Sequence, residues 1–216
     1  GDNLQFSSLP KFFSNYDIDV YISEDNSYRN EEIKKLVWDH NPFVKFGTPD
    51  SGKTLNISGG DWGNLRCTFG FCEMNISWVG SIIDMWEEIL SEILLSDNTE
   101  IKKTDGTPLI YYKPKKKKLD DVVLVDLSSN STDGEYDYNR CIDWIKDTHK
   151  NKNILLLKSD YIDQSFIQNS GLDFYEITDI FDYCDSAKSC DTIVTSLSGS
   201  NSICSDRKST RLNSSH

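Results

Sequence analysis

The chain of 216 residues carries 23 Lys and Arg against 35 Asp and Glu, which gives a formal net charge of −12 at pH 7. Proteins bind phosphate backbones through clustered Lys and Arg, so this acidic balance argues against a nucleic-acid partner. A hydrophobic share of 37% is that of a globular protein. The longest apolar runs fall far short of the ~20 residues that cross a bilayer.

The first half of the chain begins with a predicted helix and strand. Apolar side chains close to helical spacing predict a helix over residues 4–15, and an alternating pattern predicts a strand over residues 18–23. A second short helix is predicted over residues 31–39, and it ends before the Asn41-Pro42 break. This half therefore starts as an α/β arrangement.

The rest of the first half is divided between loops and one helix. Residues 46–71 are rich in Gly, Asp, Ser and Asn, which predicts loops with short strands. Residues 81–95 have one broad apolar side, which predicts an amphipathic helix. Asp84, Glu87 and Glu88 lie on its polar side, and we expect them to form a solvated face.

The pattern changes near Thr107. Residues 113–118 are basic and contain a proline, which predicts a linker or domain boundary. The continuous apolar run at residues 122–127 is typical of a strand buried on both faces of a parallel sheet. Strands and helices then alternate, which predicts a doubly wound α/β domain. The further strands are predicted at residues 153–158, 174–177 and 192–195, and the helices at residues 138–148 and 180–189.

Six cysteines are scattered along the chain, which is too large to need disulfide staples. Neither Cys67-x4-Cys72 nor Cys184-x5-Cys190 has the two-residue gap of a zinc knuckle. Reduced thiols, no metal site and a cytoplasmic location are therefore expected.

Two short segments have the composition of a ligand-binding turn. In open parallel α/β sheets, ligands bind beyond the carboxyl ends of the strands, where helix N-termini offer N–H groups to anions. Glycine lets the backbone approach a ligand, and serine hydroxyls add hydrogen-bond donors. Each segment could also be an ordinary turn. The segments are Gly1-Asp2-Asn3-Leu4 at the start of the first predicted helix, and Ser196-Leu197-Ser198-Gly199-Ser200-Asn201 immediately after the strand at residues 192–195.

These two motifs resemble those of the heptosyltransferase-like enzymes, glycosyltransferase family nine. Gly1-Asp2-Asn3-Leu4 is similar to the Gly-Asp-x-Leu helix start of that family, and residues 190–200 are similar to its donor-domain strand and Ser-Gly turn. The resemblance implies two Rossmann-like domains of the glycosyltransferase-B type, both incomplete in this chain. Residues 1–106 would be the acceptor-side domain without its first strand, and residues 107–205 a truncated donor-side domain.

By this resemblance, the protein moves a sugar from a nucleotide-diphosphate donor to a glycan hydroxyl without a metal or cofactor. Asp2 matches the base that deprotonates the acceptor hydroxyl. Gly1 and Asn3 would line the substrate site beside it. No transmembrane segment is expected, because the apolar runs are too short, and peripheral association with a membrane is left open. The donor diphosphate would be held by Ser198, Gly199 and Ser200, with Lys158 as the nearest basic residue.

Other interpretations remain open. The family continues its Ser-Gly turn with a His-Leu-Ala-type helix, whereas this chain has Asn201-Ser202-Ile203 and no histidine. A nucleotide-sugar epimerase of similar fold, or a non-catalytic sugar- or nucleotide-binding relative, is therefore an alternative. Gly47-x4-Gly52-Lys53-Thr54 formally matches a phosphate loop, but no buried strand leads into it and no helix pattern follows.

The two ends of the chain suggest a fragment. The first residue is Gly1 rather than Met. Residues 206–216 can be written back as a common sequencing-adapter oligonucleotide read in one frame, so we expect this tail to be non-native.

Overall fold

The structure of the protein is a computed structural model. Among the residues that it describes, helices and parallel strands alternate in the larger sheet, so the α/β fold class is confirmed. No helix within this part of the chain has the length and apolar character needed to cross a membrane. The described residues are 4, 6–22, 30–51, 55–56, 65–69, 72–76, 83–84, 87–88, 90–91, 95, 98–128, 137–159, 162, 164–196, 203–204 and 210–211.

The first half contains a small parallel pair of strands. Helix α1 (Leu9–Ser14) has Pro10 in its first turn, where a missing N–H is tolerated. Strand β1 (Val20–Ile22) pairs in parallel with β2 (Val44–Phe46). Between them, α2 (Glu31–Ile33) continues into a π-helix (Lys34–Asp39), as predicted for residues 31–39.

Three short antiparallel strands and one further helix complete this half. They are β3 (Leu55–Asn56), β4 (Leu65–Phe69) and β5 (Cys72–Ile76). The first two lie within residues 46–71, for which loops with short strands are predicted, whereas β5 lies beyond that range and is additional. Residues 83–84, 87–88 and 90–91 are helical.

The solvated position predicted for Glu87 is wrong. The Glu87 side chain is completely buried. Its carboxylate accepts hydrogen bonds from the Thr104 backbone N–H at 2.9 Å and from the Thr104 hydroxyl. Glu88 is exposed as predicted and pairs with Lys103 at 2.7 Å. The chain after the helix returns over Glu87 and supplies donors that the helical pattern alone does not reveal.

The second half forms a five-stranded parallel sheet. Its strand order is β10-β9-β6-β7-β8, so counting from β6 gives 5-4-1-2-3, the order of a doubly wound sheet. The predicted strands and both predicted helices are confirmed, and α4 and β10 are additional. Strand β10 lies within residues 206–216, the tail that is expected to be non-native, so the other four strands form the native part of the sheet. The elements are β6 (Val122–Asp126), α3 (Tyr138–Thr148), β7 (Asn153–Leu157), α4 (Gln164–Asn169), β8 (Asp173–Tyr175), α5 (Ile180–Ser189), β9 (Thr192–Thr195) and β10 (Thr210–Arg211).

Alternate residues of β6 face two different layers. Val123 and Val125 pack in one cluster with Ile142 and Ile145 of α3. Val122 and Leu124 pack in a second cluster on the opposite face of the sheet. Because successive side chains of a strand point to opposite faces, both layers are built on one strand. That second cluster also contains Cys184 and Ala187 of α5.

The second cluster also reaches into the first half of the chain. Phe12 of α1 and Leu36 of the π-helix are completely buried in the same cluster as Leu124. Residues on both sides of the predicted boundary at 106 and 107 therefore share an apolar core. The division into two domains stays a prediction.

The predicted linker, residues 113–118, lies against α5. Together with Tyr112 it is named here the strap, residues 112–118. The Tyr112 hydroxyl donates to the Asp185 carboxylate at 3.0 Å, and the Lys115 N–H donates to the same oxygen at 2.8 Å. Asp185 is only 8% exposed beneath the strap. These contacts fix the segment along the helix.

A second set of contacts fixes the end of the strap. The Lys117 N–H donates to the Ser189 hydroxyl at 2.7 Å, and the Lys117 ammonium pairs with Asp182. The ammonium also contacts the Ser186 hydroxyl at 3.1 Å. Positions 182, 185, 186 and 189 lie on one face of a helix. The strap therefore binds to this polar stripe of α5.

We expect Asp185→Ala to lower the free energy of unfolding by about 1–3 kcal/mol, because the Tyr112 hydroxyl and the Lys115 N–H lose their acceptor. Asp147→Ala is the matched control, since Asp147 lies on α3 with a side chain 78% exposed. The control is expected to stay within about 0.5 kcal/mol of the parent. Urea denaturation of the three proteins measures the difference, and equal losses in both variants would contradict the strap contacts.

Tyr112 should make stability depend on alkaline pH. Burial, and then its hydrogen bond to Asp185, raise the pKa of Tyr112 to about 12. Since the folded protein favours the protonated phenol, this contribution is complete below about pH 10, the usual tyrosine pKa, and is lost as pH rises to about 12. The absorbance difference between the parent and Tyr112→Phe should show one tyrosine titrating near pH 12. A midpoint near pH 10 would contradict this.

Candidate functional site

The order of strands opens a crevice between β6 and β9. From β6 the chain moves outward to β7 and β8, and then returns so that β9 lies on the other side of β6. The connections leaving the ends of β6 and β9 therefore diverge. Ligands of doubly wound sheets bind at this switch point, outside the carboxyl ends of the strands.

Asp126, the last residue of β6, anchors the crevice. Its side chain is only 3% exposed. One carboxylate oxygen accepts hydrogen bonds from the N–H of Ser128, at 3.0 Å, and from the hydroxyl of Ser128. The other accepts the Tyr183 hydroxyl of α5 at 3.1 Å. Asp126 thus joins the end of β6 to a helix on one face of the sheet.

The residue that follows β9 is hydrogen-bonded to the end of β6. The Ser196 N–H donates to the Asp126 carbonyl at 3.0 Å, and the Ser196 hydroxyl donates to the Ser128 carbonyl at 2.7 Å. Ser196 is 5% exposed. The chain leaving β9 therefore begins in a defined direction, bound to the chain leaving β6.

Cys204 completes this group, which we name the switch-point cluster: Asp126, Ser128, Tyr183, Ser196 and Cys204. The Cys204 sulfur is completely buried and lies 3.8 Å from the Tyr183 hydroxyl. Both carboxylate oxygens of Asp126 already accept hydrogen bonds, so this side chain is an internal acceptor rather than a base directed at a substrate. The cluster positions the strand ends on which a ligand site would be built.

Lys158 lies at the same edge of the sheet. Val125 pairs with Leu156 and Asp126 pairs with Thr195. Continuing these registers places Ser196, Leu127 and Lys158 in one row, so two strand spacings of ~4.8 Å separate Ser196 from Lys158. The Lys158 ammonium lies 3.6 Å from the Glu176 carboxylate, and the two side chains are 49% and 75% exposed. Such an exposed pair stabilises little and can exchange for another anion.

The other predicted site residues lie outside the part of the chain that the structure describes: Gly1, Asp2, Asn3, Ser198, Gly199 and Ser200. Of the residues predicted to bind substrate only Lys158 is therefore placed, at the carboxyl edge of the sheet. Ser196, the first residue of the second predicted turn, lies in the switch-point cluster. Sequence reasoning missed Asp126 and Tyr183. Asp126 could have been identified from the sequence, because a carboxylate ends an otherwise apolar strand there. No local sequence feature distinguishes Tyr183 from the other residues of its helix.

The fold and site define an α/β protein with a parallel sheet and a polar switch point. No protein-family model matches the chain, and no curated protein or solved structure matches it. Within the described residues, no three His, Cys, Asp or Glu side chains come together in a way that could hold a metal ion. The geometry of the switch-point cluster is therefore what bears on function.

A double-mutant cycle should show coupling between Asp126 and Tyr183. Asp126→Ala and Tyr183→Phe remove the two partners of one buried hydrogen bond, so their effects on the free energy of unfolding should be non-additive by about 1 kcal/mol or more. The control cycle pairs Asp126→Ala with Tyr175→Phe, because the Tyr175 hydroxyl contacts Lys117 and Ser186 instead. Additivity within about 0.5 kcal/mol is expected there, and the same additivity for Tyr183 would contradict the cluster.

Proposed function

We propose that the chain is part of a metal-independent glycosyltransferase of the heptosyltransferase-like kind, with two Rossmann-like domains of the glycosyltransferase-B type. It would transfer a sugar from a nucleotide-diphosphate donor to a glycan hydroxyl. The observation that carries this proposal is the β9-β6-β7-β8 parallel order, which lies outside the tail expected to be non-native, with a polar cluster at its switch point. Nucleotides bind at that point in sheets of this order.

The donor side of the proposal rests on the chain that leaves β9. Ser198, Gly199 and Ser200 follow Ser196 by two to four residues, and four residues of chain reach at most ~14 Å. A diphosphate at the switch point would thus be within their reach, and serine hydroxyls and backbone N–H groups are its usual donors. Lys158, in the same row as Ser196, would add a positive charge after releasing Glu176.

The acceptor side rests on the start of the chain. Leu4 is 2% exposed and belongs to the same apolar cluster as Tyr183 and Cys204. Asp2 precedes Leu4 by two residues, which span at most ~7 Å. Under this proposal Asp2 would lie at the crevice and would take the proton of the acceptor hydroxyl as the bond to the sugar forms.

A non-catalytic sugar- or nucleotide-binding relative is the second candidate. The observation that favours it is Asn201-Ser202-Ile203, which stands where the resembling family carries a histidine. Such a protein would keep the switch point and bind the donor without transferring the sugar. The two candidates differ in turnover, and both predict nucleotide binding.

Nucleotide binding should depend on Lys158. We expect the parent to bind at least one of ADP, GDP, UDP and CDP in isothermal titration calorimetry. Lys158→Ala should weaken that binding about tenfold, because one charge-assisted contact to the diphosphate is lost. Lys150→Ala is the control, since Lys150 is an exposed lysine paired with Asp147 on α3. No binding of any of the four nucleotides would refute both candidates.

Transfer separates the two candidates. Asp2→Asn should abolish release of nucleoside diphosphate from a nucleotide sugar in the presence of glycan acceptors, and should leave the calorimetric affinity unchanged. Turnover that is equal in the parent and in Asp2→Asn would remove Asp2 from the mechanism. Binding without turnover in the parent would favour the non-catalytic relative.

A further inference from the structure

The strap carries an unneutralised positive charge on an acidic protein. Five of its residues between positions 113 and 118 are lysines. Lys117 points inward and pairs with Asp182. The other four are exposed, and among the described residues no carboxylate forms an ion pair with them. We name these four the lysine patch: Lys113, Lys115, Lys116 and Lys118.

The lysine patch is held in place by the backbone. The N–H groups of Lys115 and Lys117 are bound to Asp185 and Ser189 of α5, so the backbone of this segment is fixed along that helix. Asp182 and Asp185, the carboxylates beneath the strap, are already used by the Lys117 ammonium and by strap donors. Four exposed lysine side chains therefore extend from a backbone that is fixed at the surface.

The negative charge of the rest of the chain determines how the protein is oriented when it approaches an anionic surface. The whole chain has a net charge of −12, so an anionic surface repels most of the molecule. Charges are screened beyond ~10 Å at 0.1 M salt, so at close range only the nearest groups count. An anionic surface is then approached most favourably with the lysine patch in front.

We propose that the lysine patch docks the protein on an anionic lipid surface. Lysines in a cluster of this size attract anionic headgroups, which can move within the bilayer to gather beneath them. The patch contains no arginine, the residue that reads nucleic acids through paired hydrogen bonds. A nucleic acid would also be repelled by a chain whose net charge is −12. This inference does not depend on the transferase proposal, because it concerns a different surface.

The test is co-sedimentation of the full chain with vesicles. One set of vesicles contains phosphatidylcholine alone, and the other includes phosphatidylglycerol. We expect binding only to the phosphatidylglycerol vesicles, and we expect it to weaken steeply as salt rises, since the screening length shortens. The patch variant replaces the four lysines of the patch by glutamine: Lys113→Gln, Lys115→Gln, Lys116→Gln and Lys118→Gln. The control variant replaces four exposed lysines elsewhere, so that its net charge changes by the same amount: Lys11→Gln, Lys35→Gln, Lys102→Gln and Lys150→Gln.

The patch variant should lose about a hundredfold or more in vesicle partitioning, given the contribution of each lysine near an anionic surface, and the control should lose less than about fivefold. Replacing the four lysines of the patch by arginine should retain binding. Equal partitioning of the patch variant and the control overturns the proposal. It is likewise overturned if the parent does not bind phosphatidylglycerol vesicles. Tighter binding of the parent to a duplex DNA oligonucleotide than to the vesicles also overturns it.

A second measurement needs no variant. Phosphatidylglycerol vesicles should protect the four amines of the patch in the parent from acetylation, as read by mass spectrometry of the peptides. Lys11 and Lys35 should stay as reactive as in buffer. Uniform protection, or none, overturns the proposal even if the patch variant fails to fold.

Discussion

The burial of β6 on both faces is the constraint on which the rest of the second half depends. All five residues of β6 are buried, and its alternate side chains contact two different layers. Each fully buried Val or Leu contributes roughly 1.5–3 kcal/mol relative to exposure. A strand in that position needs neighbours on both edges, which β7 and β9 supply in parallel. The crevice lies between β6 and β9, because the connections that leave the ends of these two strands diverge.

Local signals account for the elements that the sequence predicts well. The bounds of α3 and α5 agree with the predicted residues 138–148 and 180–189, because each helix has an aspartate cap. Asp137 accepts from the Arg140 N–H and Asp179 from the Asp182 N–H. The strand β2 and the helix α4 were missed, since both are short and their pairing or packing is with distant residues.

The candidate site is less accessible to sequence reasoning than the fold. Asp126 and Tyr183 are 57 residues apart, and their hydrogen bond exists only because α5 packs on the sheet beside β6. Glu87 shows the same limit, because its burial depends on Thr104, 17 residues away. Helical periodicity specifies which side of a helix is polar, but it does not say whether water or another segment covers that side.

Helix α5 relates the strap to the switch-point cluster. Its polar stripe holds the strap, Cys184 and Ala187 pack in the core, and Tyr183 reaches Asp126. A helix held on several sides by directional contacts and by packing has little room to rotate or slide. The strap contacts therefore help to keep Tyr183 in register with the end of β6. Since Asp126 in turn binds the chain leaving β9, the shape of the crevice depends on a segment that the sequence alone presents as a simple linker.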